Sequence, residues 1–218
     1  MDLKNEFHYK LQQSIELLQH VFLNYEEDEI FLSFNGGKDC TVLLDVVKRL
    51  LPSHLNYELS LRCIYVQPVD PFEEIEEFVD HCKNHYNINI ETMRGGIKSV
   101  LERICQENPR MKSCLMGSRR SDPYCELLKP IQETDPDWPL IMRINPLLDW
   151  SCAEVWDYIR ENNVPYCCLY DRGYTSIGDK SNTIPNPHLK RIGECGEYTY
   201  LPAYQLQEAD KYERAGRM

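Results

Sequence analysis

The sequence lacks any apolar run of the roughly 18–20 residues that a membrane-spanning helix needs. Residues 1–6 are not followed by the apolar segment of a secretory signal peptide. Basic residues are also scarce, with 24 Lys and Arg against 35 Asp and Glu, so the net charge is −11. Such a charge argues against a general nucleic-acid partner, because binding a phosphate backbone needs a basic surface. We therefore expect a cytoplasmic protein with neither a membrane nor a nucleic acid as partner.

The ten cysteines do not include a Cys-x-x-Cys pair, the spacing typical of zinc and redox sites. Several fall at apolar positions of predicted elements, among them Cys63, Cys82 and Cys105. We expect reduced thiols that are mostly buried, as is usual in a cytosolic protein.

The most informative stretch is a predicted strand, a glycine loop and a helix in direct succession. Residues 30–34 form a short apolar run typical of a buried strand, and apolar residues recur at helical spacing after Lys38. Gly36 and Gly37 lie between the two, where backbone amides can converge at the start of a helix and bind an anion. Lys38 adds a charge and Ser33 a hydroxyl. The stretch therefore predicts a phosphate-binding unit.

This loop differs from the common phosphate-binding motifs. A Walker A motif has Ser or Thr after its Lys, whereas Asp39 follows Lys38 here, and a dinucleotide-binding G-x-G-x-x-G is absent from the sequence. The alternative without function is a glycine turn that carries a surface lysine.

Strands and helices alternate as far as about residue 162. Further strands are predicted at residues 61–66, 88–92, 113–116 and 140–144, and a first helix at about 7–24. Residues 126–139 contain three prolines and are predicted to form a loop. This alternation is typical of an α/β fold with three layers, a mostly parallel twisted sheet flanked by helices.

Residues 163–218 show little periodicity and predict an irregular C-terminal extension. It would fold back over a core of about residues 25–162, within a single domain of residues 1–218. Because chain termini usually tolerate loss, we expect deletion of residues 214–218 to spare folding.

In open parallel sheets, ligands bind beyond the carboxyl ends of the strands. That rule selects the loops at residues 35–39, 67–70, 93–96, 117–123 and 145–150. Two helices have N-terminal capping patterns beside these loops. Asp70 with Pro71 and Glu73 forms one pattern, and Ser151 with Glu154 the other.

Several of these segments carry the motifs of one family. The segment Ser33-Phe34-Asn35-Gly36-Gly37-Lys38-Asp39 resembles the pyrophosphate loop of adenylating enzymes related to the sulfonucleotide (PAPS) reductases. Its Phe-Asn variant is most similar to the eukaryotic FAD synthases. Further segments resemble later blocks of those synthases, at residues 70–74, 116–123, 145–156, 165–178 and 213–217. The resemblance covers most of the chain from about residue 29.

This resemblance implies an adenine nucleotide α hydrolase-like fold and an FMN adenylyltransferase. Such an enzyme converts ATP and FMN into FAD and pyrophosphate, the last step of FAD biosynthesis, with Mg²⁺ as cofactor. Its partners would be the small molecules ATP and FMN, with apo-flavoproteins as recipients of FAD. The chain would be a stand-alone synthase domain.

The resemblance also implies three overlapping sets of site residues. The ATP-binding set is Ser33, Asn35, Gly36, Gly37, Lys38, Asp39, Val66, Arg94 and Gly95. The FMN-binding set is Arg119, Asp122, Trp150, Tyr166, Tyr170, Arg214 and Arg217. The catalytic candidates are Asn35, Asp39, Asp122, Arg214 and Arg217, and the metal would be organised by Asn35 and Asp122.

Each of these roles has a simpler alternative. Arg119 and Arg120 could form a solvated charged turn, and Asp122 could cap a helix. The large aromatic residues could belong to the core.

Two other functions stay open at this point. The first is a sulfonucleotide reductase, whose catalytic Cys lies in a Glu-Cys-Gly motif followed by an apolar residue and His. Glu194-Cys195-Gly196 matches the tripeptide, but Glu197 and Tyr198 follow it and the sequence has no later His. The second is a non-catalytic nucleotide-binding module, in which Lys38, Asp39 or Asp122 would be lost; all three are present.

Overall fold

The computed structural model describes residues 3–52, 61–193 and 196–218. The helices are α1 (Leu3–Asn24), α2 (Lys38–Asp45), α3 (Glu73–Tyr86), α4 (Ile97–Glu107), α5 (Cys152–Asn162) and α6 (Ala209–Tyr212). The strands are β1 (Ile30–Phe34), β2 (Arg62–Gln67), β3 (Ile90–Arg94), β4 (Ser113–Leu115), β5 (Ile131–Glu133), β6 (Met142–Ile144), β7 (Lys190–Ile192) and β8 (Tyr198–Tyr200). The bounds agree with the predicted elements to within about two residues for β1, β2, β3, β4 and β6.

The main sheet has the order β3-β2-β1-β4-β6-β5, and β1 lies near its middle. Leu32 is paired with Cys63 of β2 on one side and with Leu115 of β4 on the other, both in parallel register. The predicted mostly parallel sheet is thus confirmed. The prediction of an uninterrupted loop at residues 126–139 is wrong, because β5 lies within it and pairs antiparallel with β6 at the sheet edge. Two prolines flank this strand rather than interrupt it, so its backbone donors remain available.

Helices cover both faces of the sheet. Apolar residues of α1, α2, α3 and α5 pack with Ile30, Leu32 and Phe34 on one face. On the other face Phe31 packs with Val100, Leu101 and Ile104 of α4. The alternation of β1 side chains between the two clusters follows from the period of two along a strand. The three-layer α/β fold is confirmed.

The two predicted caps have different outcomes. Ser151 caps α5 as expected, with Glu154 completing a capping box. The expectation for Asp70 is wrong, because α3 begins at Glu73 and its N-cap position is Phe72. The Asp70 amide instead donates to the Asp179 carboxylate at 3.1 Å, and its carbonyl accepts from the amide of Lys180 at 2.8 Å. The backbone of Asp70 therefore binds the C-terminal extension, and its side chain does not cap α3.

The helix that follows the glycine loop continues beyond α2 as a π-helical turn, Val46–Leu50, and then through Leu51 and Pro52. Residues 53–60, which follow Pro52, lie outside the described residues.

The C-terminal extension is irregular, as predicted. It consists of short 3-10 turns, the β7–β8 hairpin and the four-residue helix α6. Its last residues are tied down, since Arg217 forms a bridge with Thr183 and the Ile184 amide donates to the Gly216 carbonyl at 2.9 Å.

The nine cysteines in the described residues are free, and most are buried. Within the same ranges, none of the helices has the length and apolar character of a membrane span.

Candidate active site

A cavity of about 670 Å³ lies beyond the carboxyl ends of the central strands. Its walls include parts of four of the predicted loops, together with the C-terminal extension. Among the sequence-predicted residues that line it are Ser33, Asn35, Gly37, Lys38, Asp39, Val66, Gly95, Asp122, Tyr170, Arg214 and Arg217. The fold therefore brings together most of the residues that were selected from distant parts of the sequence.

The glycine loop is shaped by close contacts. Gly36 has a φ of +70°, which an L side chain rarely adopts, and a Cβ there would lie 3.1 Å from Ile75 of α3. The Asn35 Oδ1 atom accepts a hydrogen bond from the Gly37 amide at 2.8 Å. From the next loop, Gly117 approaches so closely that a Cβ would lie 2.8 Å from the amide nitrogen of Cys40. The loop is thus packed from two sides against the start of α2.

Lys38 is not the surface lysine of the alternative without function. Its side chain is only 2% exposed, and its Nζ lies 2.9 Å from Asp39 Oδ2 and also donates to the Glu213 carboxylate. Burial alone would lower its pKa, but Asp39 and Glu213 outweigh burial and raise the pKa of Lys38. The Lys38 amide donates to the Tyr170 hydroxyl at 2.9 Å, so the extension also holds the backbone of the loop. The lysine is therefore charged and held in place by carboxylates.

Arg119 is fully buried, so the alternative of a solvated turn is wrong for this residue. Its guanidinium contacts Asp39 Oδ1 at 2.7 Å, Asp210 Oδ1 at 2.9 Å and the carboxylate of Glu213. These three acidic residues enclose the group that the resemblance had assigned to FMN binding. Arg120, by contrast, is partly exposed and pairs with Asp149.

The side chain of Asp122 makes a hydrogen bond within its own loop. Its Oδ2 accepts from the Arg119 amide at 2.9 Å, and burial raises the pKa of its carboxyl. No helix begins at this position in the described part of the chain, so Asp122 does not act as a helix cap. Asn35 and Asp122 line the same cavity, and their oxygens are of the hard type that Mg²⁺ prefers.

Two arginines of the C-terminal segment complete the cavity wall. Arg214 and Arg217 both line it, and the guanidinium of Arg217 lies directly against Gly178, where a Cβ would collide with it. Burial and then the nearby charge of Arg214 lower the pKa of Arg217. Two neighbouring guanidiniums with this mutual effect form a binding site suited to an anion such as phosphate.

A second cavity of about 210 Å³ adjoins the first and shares Ser33, Val66, Ile97 and Met116 with it. It lies between the sheet and α4, and most of its remaining wall is apolar. Its polar groups come from the segment around β5 and β6, namely Thr134, Asp135, Trp138 and Arg143. The Nε atom of Arg143 is buried, and among the described residues it has no hydrogen-bond partner.

Besides the buried Arg119, four predicted site residues do not line the main cavity. Trp150 belongs to the core, where its Nε1 donates to Ser14 Oγ at 3.0 Å and its ring meets Phe7 of α1 edge-on. Tyr166 packs against Trp156, and its hydroxyl donates to Asp171. The Nε–H of Arg94 donates to Gln67 Oε1 at 2.7 Å, and Gly36 lies against Ile75 of α3. For Trp150 and Tyr166, the structure favours the alternative of core packing.

Sequence reasoning missed Glu213, Trp138, Asp135 and Arg143. Glu213 stands next to Arg214 in the C-terminal motif, and Arg143 is a charged residue inside a predicted strand. Those two signals were available, whereas Trp138 and Asp135 lay in a stretch that was predicted to be a plain loop.

The fold and the cavity define an α/β protein with a mostly parallel sheet and a glycine loop after its central strand, at the edge where the main cavity lies. Residues 29–185 match the family model of the phosphoadenosine phosphosulfate reductase domain. A probable FAD synthase of Schizosaccharomyces pombe is 38% identical over 213 residues, covering 95% of this chain and 78% of the relative. The crystal structure of Candida glabrata FMN adenylyltransferase in complex with FMN and the ATP analogue AMPCPP matches with a TM-score of 0.88 at 28% identity, covering 98% of this chain and 90% of that chain.

The chain therefore belongs to the family of FAD synthases that carry this reductase-type domain. A probable FAD synthase of Caenorhabditis briggsae is 36% identical over 219 residues. The chain spans all of its own length in that match but only 42% of the relative.

Proposed function

We propose that this protein is an FMN adenylyltransferase that makes FAD and pyrophosphate from FMN and ATP. An oxygen of the FMN phosphate attacks the α-phosphorus of ATP, the bond to the β-phosphate breaks, and pyrophosphate leaves with the electron pair. This displacement needs no protein nucleophile. The observation that carries the proposal is the junction of two cavities, one with several charged side chains at the glycine loop and an apolar one beside it.

The cavity at the glycine loop suits the triphosphate of ATP. The start of α2 lies at this cavity, where the helix dipole favours an anion, and the charge of Lys38 lies at the same place. Arg214 and Arg217 approach from the C-terminal segment and could bind the FMN phosphate or the α-phosphate in a bidentate manner. With groups held on both sides of the α-phosphorus, the reaction is accelerated mainly because the attacking oxygen and the leaving pyrophosphate are aligned.

The apolar cavity suits the isoalloxazine ring of FMN, a flat aromatic system with a polar edge. Its apolar wall can cover the ring faces, while Trp138 offers an aromatic surface. The unpaired Nε–H of Arg143 can donate to a ring oxygen or nitrogen, which would remove the cost of an unsatisfied buried donor. This assignment takes the place of Trp150 and Tyr166, which lie in other surroundings.

The donor set of the cavity also fits Mg²⁺, with Asn35 and Asp122 as the residues that would hold it. In the described ranges, no cluster of three or more His, Cys, Asp or Glu side chains forms a complete metal cage. Such a site suits a cation held by one or two protein groups together with substrate phosphates. When bound, Mg²⁺ would supply positive charge against the phosphate oxygens.

The test of the reaction is to incubate the protein with FMN, ATP and Mg²⁺ and to measure FAD and pyrophosphate. Equal amounts of both products are expected. Release of ADP, or consumption of ATP without FAD, would contradict the proposal.

The flavin site has its own test. Trp138→Leu should raise the KM for FMN by about tenfold and leave the KM for ATP nearly unchanged, because it removes ring contact in the second cavity only. Tyr124→Ala, at an exposed position in a nearby loop, is the control and should leave both constants unchanged. Equal rises in the two KM values for Trp138→Leu would show that the second cavity is not selective for FMN.

A reductase mechanism through Cys195 is the alternative. Glu194 and Cys195 lie outside the described residues, so the motif rests on sequence alone. Cys195→Ser should leave FAD formation intact under the present proposal, and a strong loss would revive a thiol mechanism. Transfer of FAD to apo-flavoproteins and a cytoplasmic location remain predictions.

A further inference from the structure

A closed group of charged side chains lies behind the glycine loop, where the C-terminal segment meets the core. One carboxylate oxygen of Glu213 accepts from Lys38 Nζ, and the other accepts from Arg119 Nη2. Asp39 contacts the same two cations through its own two oxygens, at 2.9 Å and 2.7 Å. Both cations are therefore shared between two carboxylates, and each carboxylate bridges both cations.

The positive charges of this group are already compensated without a ligand, since two cations face three carboxylates. Lys38 and Arg119 face Asp39 and Glu213, and Asp210 adds a further negative charge on Arg119. A phosphate that enters the cavity thus meets a lysine with two of its three Nζ–H donors engaged by carboxylates. To gain more than the remaining donor, the phosphate must compete with a carboxylate for Lys38.

Glu213 is the carboxylate that can give way. Asp39 follows Lys38 directly in the first turn of α2, whereas Glu213 comes from 175 residues further along the chain. The Glu213 carbonyl accepts from Thr175 Oγ1 at 2.6 Å, so the backbone is anchored while the side chain keeps its rotatable bonds. Both Glu213 and Lys38 line the main cavity, where an entering phosphate could replace the carboxylate on Lys38.

We propose that Glu213 is an internal counter-anion that competes with phosphate for Lys38. It holds Lys38 and Arg119 in position in the free enzyme, releases Lys38 to the phosphate oxygens of the nucleotide, and binds Lys38 again as pyrophosphate leaves. The inference rests on the proposed function of the same cavity. It predicts that a neutral residue at this position makes the site bind pyrophosphate more tightly, because the competing charge is gone.

The test compares the binding of inorganic pyrophosphate to the wild-type protein and to Glu213→Gln by titration calorimetry. The amide keeps the shape of the side chain but can accept from only one of the two cations, so the Kd for pyrophosphate should fall by about tenfold, the equivalent of one charge-assisted hydrogen bond. Glu213→Asp keeps the charge but reaches only one cation, so its Kd should fall by a smaller factor. Pyrophosphate should inhibit FAD synthesis at lower concentrations in the same order.

Glu208→Gln is the matched control. It removes the same charge from the same segment, at an exposed position whose carboxylate lies 3.9 Å from Lys211, and pyrophosphate binding should not change. Equal tightening in this control would overturn the inference, since net charge alone would then account for the effect.

Unchanged or weaker pyrophosphate binding in Glu213→Gln overturns the inference, whether or not the melting temperature falls. If Glu213→Gln does not fold, Glu213→Asp is measured in its place, and unchanged or weaker pyrophosphate binding in that variant overturns the inference. A wild-type protein that binds pyrophosphate but makes no FAD contradicts the proposed function and leaves the Glu213 comparison valid. A wild-type protein that makes FAD, with no tightening in the variants, contradicts this inference alone.

Discussion

The side chain of Asp122 is hydrogen-bonded to the backbone of its own loop and also lines the main cavity. One of its oxygens holds the Arg119 amide, and burial raises the pKa of the carboxyl. A buried carboxylate that loses solvation in this way is stabilised by a nearby cation or donor. A metal ion and substrate phosphates would provide that cation when both are bound.

We predict that Asp122→Asn lowers kcat by about two to three powers of ten, because the loss of the negative charge weakens the hold on Mg²⁺. The amide oxygen can still accept from the Arg119 amide, so the melting temperature should stay close to that of the wild type. Steady-state kinetics over a range of Mg²⁺ concentrations and a thermal melt check both parts.

Asp149→Asn is the control for this variant. Asp149 lies in the adjacent loop, is exposed and pairs with Arg120. Unchanged turnover of Asp122→Asn, with the control also unchanged, would limit Asp122 to holding its loop.

At the scale of elements, one buried carboxylate joins three helices on one face of the sheet. Asp45, at the end of α2, accepts from the hydroxyl of Tyr86 on α3 at 3.0 Å and from that of Tyr158 on α5 at 2.7 Å. Arg49 lies 3.0 Å away, one turn further along the same helix. The network packs α2 rigidly behind the glycine loop.

Asp45→Asn should lower the free energy of unfolding by about 1–3 kcal/mol, because the amide nitrogen cannot accept from a tyrosine hydroxyl. Burial raises the pKa of Asp45, although both tyrosines and Arg49 act against it. A carboxyl with a raised pKa contributes most stability below its unfolded pKa and loses that contribution as the pH rises through its folded pKa. The deficit of the variant should therefore be larger near about pH 4 than at neutral pH.

Urea unfolding at both pH values measures this deficit. The exposed Asp80, which pairs with Lys83, provides the control Asp80→Asn, which should change stability little. A deficit that grows toward neutral pH would contradict the role assigned to Asp45.

At the scale of the whole molecule, the C-terminal segment closes the cavity over a core that is far from it in sequence. Its end pairs with residues 182–184 through the bridge between Thr183 and Arg217 and through two further backbone hydrogen bonds. The expectation that residues 214–218 could be removed without effect on folding therefore needs revision. These residues contribute to the fold as well as to the cavity wall.

Deletion of residues 214–218 should lower the melting temperature by several degrees, because the backbone hydrogen bonds are lost, and should cut FAD synthesis at least about tenfold. The double variant Arg214→Gln with Arg217→Gln keeps those backbone bonds and should lose activity with little loss of stability. Lys at both positions should restore only part of the activity, since it lacks the bidentate geometry. A double Gln variant with wild-type kcat/KM for ATP and FMN would remove the two arginines from the mechanism.

The sequence by itself determined the local parts of this protein. The strand–loop–helix around residues 30–51, the capping box of α5 and the alternation that makes a parallel sheet all depend on residues a few positions apart. The rule that ligands bind at the carboxyl ends of strands then selected the loops that meet in the main cavity. Family membership followed from short motifs that each lie within one such loop.

Tertiary structure decided what those side chains contact. Lys38 meets Glu213 only because the extension folds back over the sheet, and Trp150 lies in the core in contact with Ser14 and Phe7 of α1. The second cavity forms where Arg143 of β6 and Trp138, in the segment between the edge strand β5 and β6, lie against α4. Such contacts join residues that are distant in sequence, and neither periodicity nor local spacing carries information about which distant partner a buried group will find.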